Sequence, residues 1–259
     1  MEVELSMDLD ISGARVLFEL PVDLPFLGRL QISETIVVSW LVMLLIFLLC
    51  IFLTRNLRVE NISKRQALAE MLVDTGKNFV VGLMGEKFAY MIPFVSALFV
   101  TSVISNLISL VGLRSPTADL STEAAWAIVV FVMITKQKLK ANGVGGYLKG
   151  FTEPIFVLTP FNVLSEFSTP VSMACRHFGN ILSGVVINGL IYGALAGASA
   201  ALFRLIPGAV GAVLSKIPFL DVGIPAITSV YFDWFSGIMQ AFIFCMLTVM
   251  YISTAAETD

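Results

Sequence analysis

The chain has 259 residues, 57% of them hydrophobic and 14% charged, with a net charge of −3 and a mean hydropathy of +0.90. Soluble domains carry about a quarter charged residues, so a water-soluble globule is excluded and the composition reads as an all-α, polytopic membrane protein. The negative charge excludes nucleic acid as a partner, and a lone His with three scattered thiols, Cys50, Cys175 and Cys245, fits neither a metal centre nor a disulfide framework.

Residues 1–31 are acidic, with Glu2, Glu4, Asp8, Asp10, Glu19 and Asp23. They lack the basic start and apolar run of a secretory signal and are expected as an extramembrane segment. Residues 32–259 are expected as one polytopic membrane domain. Its first span covers 36–54, long enough for a bilayer core of about 30 Å. Residues 63–85 alternate apolar Ala67, Met71, Leu72, Val80 and Leu83 with Lys64, Arg65, Glu70, Asp74 and Lys77. That is an amphipathic helix, lying on the membrane surface or against a partner. Spans at 88–113 and 123–135 follow, joined by the hairpin RSPTADLSTE, in which Asp119 and Ser121 are cap candidates. The lysines and glycines of KQKLKANGVGGYLKGFTEP predict a water-facing loop. Its GVGG run is no nucleotide cradle, because no strand precedes it and no phosphate-binding lysine pattern follows.

Two long tilted helices are expected over about 162–206 and 220–256. From 171 to 206 there is no proline. As one helix that stretch is about 54 Å long, more than a bilayer core, so it tilts, bends or lies partly across the membrane. The link between the two helices is punctuated by Pro207, Pro218 and Pro225. Arg55, Arg58, Lys64, Arg65, Lys77, Lys87, Lys136, Lys138, Lys140 and Lys149 all fall on one side of this arrangement. Arg15, Arg29, Arg114, Arg204 and Lys216 fall on the other. The positive-inside rule then puts the N-terminus outside and the C-terminus in the cytoplasm.

Arg176 stands within an apolar helix, where a central arginine costs about 2.5 to 3.5 kcal/mol. Thr169, Ser172, Asn180 and Ser183 lie at i−7, i−4, i+4 and i+7 from it, so they share its face. The nearest acid along the helix, Glu166, is off that stripe by about a quarter turn. On the last helix Asp233 and Gln240 share a face, with Ser229 one turn before Asp233 and Ser236 and Gly237 between. A carboxylate and an amide there suit a relay or an ion-coordinating wall, or, for Gln240, an interhelical hydrogen bond. His177 points about 100° away from Arg176, which favours core packing or an interface hydrogen bond over a proton relay. Gly179, Gly184 and Gly189 leave room for another helix.

At these residues the chain resembles a known family, subunit a of the F-type ATP synthase membrane sector. PVSMACRHFGNILSG matches the family's P-x-S-x-x-x-R-x-F-G-N element, and QAFIFCMLTVMYIS matches its C-terminal element. SNLISLVGL, PTADLS, GGYLKGFTEP and PFNVLSEFSTP follow in family order. The resemblance implies a non-catalytic stator subunit without cofactor, set in the bacterial cell membrane beside a rotating ring of c subunits. Its further partners are b-subunit stalk helices, the F1 sector indirectly, and lipid. Two half-channels lead H+ or Na+ to the ring. Arg176 matches the family's essential arginine, Gln240 the neighbouring glutamine and Asn180 the asparagine one turn on. Asp233 falls where the family carries an ionisable residue in the outer path. The candidate ion-translocation set is Arg176, Gln240, Asn180, Asp233, Ser172 and Ser183, with the carboxylates Glu166 and Asp119.

Two departures bear on the ion. Proton-type members often carry a carboxylate or His nine residues after the arginine, where this chain has Val185, and the hairpin Asn106-Leu107 element leads into Ile108 and Ser109 rather than an acid. The path left is one of Ser, Asn and Asp, which also suits hydrated Na+. GGYLKGFTEP and VYFDWFSG are similar to clostridial-type members, some of which use Na+. Two other classes compete. An independent secondary transporter with a midplane arginine calls for inverted repeats, which the sequence lacks. An intramembrane enzyme calls for HExxH, GxSxG or paired aspartates, which it also lacks.

Overall fold

The computed structural model describes residues 14–24, 28–206, 220, 227, 228 and 230–257. The described chain opens with an antiparallel hairpin, β1 (Val16–Leu24) on β2 (Gly28–Ser33). The sequence points only to an extramembrane segment here. The pairing nonetheless sets Phe18 against Ile32 and Glu19 against Gln31, like against like, as cross-strand partners prefer.

Helix α1 (Glu34–Thr54) is apolar all round and buries only Thr35, Val38 and Val42, the behaviour of a helix solvated by lipid. Helix α2 (Lys64–Met84) starts at Ser63, whose side chain accepts from the Gln66 amide. Buried Gln66 receives a bond from the Arg58 N–H at 2.9 Å and donates Nε2 to the Arg58 carbonyl at 2.7 Å, fixing the α1–α2 link. The helix is divided along its length. Leu68, Met71 and Leu72 are exposed, whereas Val80 and Met84 enter the core.

Helix α3 (Ile92–Leu107) follows the 3-10 segment Glu86–Met91 and ends in another, Ile108–Val111. Gly112 then turns the chain at φ 80, a left-handed conformation that costs glycine nothing. Asp119 caps helix α4 (Leu120–Gly150) by accepting from the Ser121 amide. The loop expected over KQKLKANGVGGYLKG is helical instead. Lys136 to Gly150 continue α4, broken at Gly143, where φ is 69. Lysines are good helix formers, and only the glycine marks the interruption. Residues 120–134 are the apolar part of α4, about 22 Å of helix, shorter than a bilayer core.

Helix α5 (Thr159–Arg204) is continuous over 46 residues, about 69 Å. It passes through Pro170, which has no N–H to offer the Glu166 carbonyl. A π-helical segment, Val230–Ser236, leads into helix α6 (Gly237–Thr254). The start of the expected 220–256 helix lies largely outside the described residues. Among the described residues, four helical stretches are long and apolar enough to cross a membrane: Glu34–Thr54, Glu86–Val111, Phe156–Arg204 and Val230–Thr254. The chain is thus an all-α membrane protein apart from its hairpin.

Helix α6 is the hub. Phe244, Cys245, Val249 and Ile252 pack with Val80 and Met84 of α2, Val95 of α3, Val130 and Ile134 of α4 and Met173 of α5. A second cluster joins Val38 and Val42 of α1 to Ile108. At the head of α6, a Cβ on Gly237 would come within 3.0 Å of the Asn106 Cβ. Gly237→Leu should therefore overpack this crossing, at about 1–3 kcal/mol, and lower the melting temperature of the detergent-solubilised protein. Gly82→Ala on α2, where nothing lies within 4 Å, should leave it unchanged or raised. Equal melting temperatures for Gly237→Leu and wild type would refute the close approach.

Candidate functional site

Arg176 lies in α5, 17 residues after its first, and is exposed on the outer surface of the chain. Ser172 and Ser183, one and two turns away on the same face, are exposed too. Ser183 Oγ turns back to the Gly179 carbonyl at 2.6 Å, so its hydroxyl is satisfied inside its own helix. Among the described residues, none pairs with or accepts a hydrogen bond from Arg176. The opposite face of α5 carries the burial: Met173, Ala174, His177, Gly184 and Asn188. The helix thus sorts its residues by azimuth, with a core stripe on one side and an uncovered, partly polar stripe on the other.

One turn after Arg176, Asn180 reaches the head of the last helix. Its Nδ2 donates to Ser236 Oγ at 3.0 Å and to Gln240 Oε1 at 3.4 Å, and Ser236 Oγ donates back to Asn180 Oδ1 at 3.1 Å. Gln240 is 4% exposed. Two sequence-predicted residues, Asn180 and Gln240, are therefore brought together, and Ser236 completes the cluster. Arg176 sits at its edge, bonded to neither. The close crossing is allowed by a glycine, since a Cβ on Gly184 would stand 3.4 Å from the Phe232 Cβ.

Asp233 falls in the π-helical segment, and its side chain lies outside the described residues, as does Ser229. π-helical turns recur at functional sites.

The other two carboxylates go elsewhere. Glu166 pairs with Lys138 Nζ at 2.6 Å and accepts from Tyr147 Oη at 3.3 Å, tying α5 to α4 well away from Arg176. Burial, and after it the charge of Glu166, holds the Tyr147 phenol above its ordinary range, so it remains a donor. Asp119 caps α4 and accepts from Thr35 Oγ1 at 2.9 Å, linking the start of α4 to the start of α1. Both thus tie helices together in this fold.

Beside the cluster runs a second buried polar group. Asn106 Nδ2 donates to the Gly237 carbonyl at 2.8 Å, and Thr117 Oγ1 donates to Asn106 Oδ1. Ser115 Oγ donates to the Ser105 carbonyl at 2.6 Å. This knot anchors the α3–α4 hairpin to the head of α6. His177 is 0% exposed and faces Glu123, with Nδ1 2.8 Å from Oε2. Sequence reasoning found the histidine's buried side but not its partner, because Glu123 reads there as the polar end of a hairpin. Its signal was a carboxylate in the first turn of an apolar stretch, and carboxylates are seldom fully buried unless paired.

The arrangement offers a guanidinium, uncovered by the described residues, one turn from a hydrogen-bonded amide cluster where two long helices cross. Such a group attracts an anionic partner surface and repels a mobile cation. Comparison with known proteins identifies the family. The family model described as ATP synthase A chain matches residues 36–253. The chain is similar to "ATP synthase subunit a 1" of Prosthecochloris aestuarii, 33% identical over 235 residues, covering 89% of this chain and 93% of that one. It is also similar to "ATP synthase subunit a 2" of Acaryochloris marina, 30% identical over 234 residues, 90% of this chain and 89% of the other. A third relative, "ATP synthase subunit a, sodium ion specific" of Propionigenium modestum, is 28% identical over 270 residues, 93% of this chain and 84% of that one. Matched over nearly its whole membrane domain and related at this level across most of both chains, this protein belongs to the ATP synthase A chain family, that of ATP synthase subunit a.

Proposed function

We propose that this chain is the ion-translocating stator of its synthase and performs no bond chemistry itself. The observation that carries the reading is the exposed Arg176, unpaired among the described residues, beside the Asn180–Gln240 cluster. An uncovered arginine within an apolar helix is too costly to face lipid alone. It is accounted for by carboxylates on a partner, a ring of c subunits passing along the exposed face of α5. Two half-channels deliver H+ or Na+ to that ring from opposite sides. An emptied ring carboxylate is drawn to Arg176, and a free cation is repelled by it, so ions cannot pass straight between the half-channels. Arginine suits the task because it stays charged when desolvated, whereas lysine can lose its proton. The membrane potential then contributes about 2.3 kcal/mol per charge per 100 mV.

In this reading the chain sits in the bacterial cell membrane with its N-terminus outside and its C-terminus in the cytoplasm. Stalk b helices hold it, and through them it meets the F1 sector. The cargo is H+ or Na+, and acidification against uptake of labelled Na+ in vesicles separates the two.

Arg176→Ala should leave the complex assembled and reduce ATP-driven ion uptake in reconstituted vesicles by about 100-fold or more, as loss of a preorganised charge does. Arg176→Lys should fail as well, since a desolvated lysine neutralises. Uptake near the wild-type rate in either variant refutes the proposal.

Asp233 is assigned to the outer half-channel, eight residues beyond Pro225 and so within about two turns of the external end of its helix. Asp233→Asn should slow uptake more than it lowers the yield of assembled complex, because the amide keeps the shape and loses the charge. Asp233→Cys should react with impermeant thiol reagents from the outer side. Labelling from the cytoplasmic side alone would overturn the assignment.

A further inference from the structure

Among the described residues, Glu123 is the carboxylate with no exposed surface at all, and its neighbour His177 has none either. Nδ1 of the imidazole lies 2.8 Å from Glu123 Oε2, although their mutual angle is poor for a linear hydrogen bond. Aromatic rings close around them. The Phe244 ring is 5.6 Å from the imidazole, and the Trp126 ring is 6.4 Å from it. Glu123 belongs to the first turn of α4 and His177 to the middle of α5, so the contact ties two helices together at one level.

That level is set by sequence adjacency, because His177 directly follows Arg176. Successive helical residues stand about 100° apart. Holding His177 against Glu123 therefore fixes where Arg176 points, and it points to the exposed stripe with Ser172 and Ser183. The Asn180 cluster and the Gly184–Phe232 crossing hold α5 against the last helix, and the Glu123–His177 pair adds the hold against α4. Val171, Cys175 and Val185 are exposed on other sides of α5. Within lipid, moreover, no hydrophobic driving force distinguishes one apolar face from another, and directional polar contacts and small-residue packing must do so. A lone carboxylate or imidazole cannot swing away into this core without leaving a buried polar group unmatched.

We infer that Glu123 and His177 are a positioning pair that sets the rotation of α5 and thereby aims Arg176 out of the chain. The inference rests on the stator reading of Arg176. Its test reads rotation separately from transport. In the intact complex, with Cys50→Ala, Cys175→Ala and Cys245→Ala as background, the substitutions Asn180→Cys and Ser236→Cys report how α5 faces the head of α6, since those side chains now bond at 3.0 Å. Coupling is measured without the reporter cysteines, as ions taken up per ATP hydrolysed.

With the native pair, oxidation should cross-link 180 to 236 efficiently. Glu123→Leu or His177→Leu should lower that yield and reduce coupling by about tenfold or more, as misplacement of a reacting group by about 1 Å does. Exchange of the partners, Glu123→His with His177→Glu, keeps a polar contact and should restore both readouts. Where a single variant fails to assemble, Glu123→Leu with His177→Leu carries the test, since it leaves no orphaned charge. It should assemble, yet cross-link and couple poorly. Wild-type cross-linking and coupling in that double variant would overturn the inference, as would singles that lose assembly while their assembled fraction cross-links normally. Failure of the stator reading looks different, with Arg176→Ala still pumping whatever the pair does.

Discussion

A guanidinium left bare on an apolar helix imposes the first condition on everything around it. Its chain must cover the other faces of α5 and keep this one open. The buried stripe of Met173, Ala174, His177, Gly184 and Asn188 meets that condition, and so does the placing of α2 and α3 against α6, with α4 laid along a different face of α5. Among the described residues, the last span is the more buried of the two and the span through α5 the more exposed. In water such a surface would be a liability; in the proposed stator it is the face turned to the partner.

Polar groups at membrane depth must find partners within the protein, and here they converge on the head of α6. Asn106 takes the Gly237 carbonyl, while Asn180 takes Ser236 and Gln240. Residues from α3 and α5 thus meet within about one turn of α6. The π-helical segment Val230–Ser236 stands directly before it. A wider turn frees backbone groups and re-aims side chains, so the regular, well-packed part of the last helix begins where the hydrogen-bonded cluster requires register.

The helices were legible where composition alone decides. An apolar stretch of membrane length declares itself, and α1 needed no further clue. The arginine stripe was legible for a different reason. A charge among apolar residues is conspicuous, and the 3.6 period hands it Ser172, Asn180 and Ser183 as company. Lys136 to Gly150 misled because lysine and glycine together suggest a loop, while only Gly143 takes a non-helical conformation. Glu166 and Asp119 were legible as carboxylates beside membrane segments, but not as the ties between helices that they also make. Their partners, Lys138 and Thr35, lie 28 and 84 residues away, and a one-dimensional reading has no means of pairing them. The Glu123–His177 contact was hidden in the same way, by distance along the chain rather than by chemistry.

The stripe around Arg176 is built largely of short side chains. Ser165, Ser172, Ser183, Ala194 and Ala198 are exposed along it and Gly179 is half-buried, with Ile187 and Leu190 the long apolar side chains exposed among them. Interlocking surfaces resist sliding because each knob must climb out of its hole, once per helical turn of about 5.4 Å. Each lost atom pair forfeits only about 0.1–0.2 kcal/mol, but long side chains lose many pairs together. A strip of serines, alanines and glycine has few knobs to lift. A surface travelling across it meets shallow ruggedness and little friction, interrupted at one place by a charge. In the proposed stator, the steps along such a track are electrostatic rather than steric, and their height responds to whether the passing carboxylate is occupied.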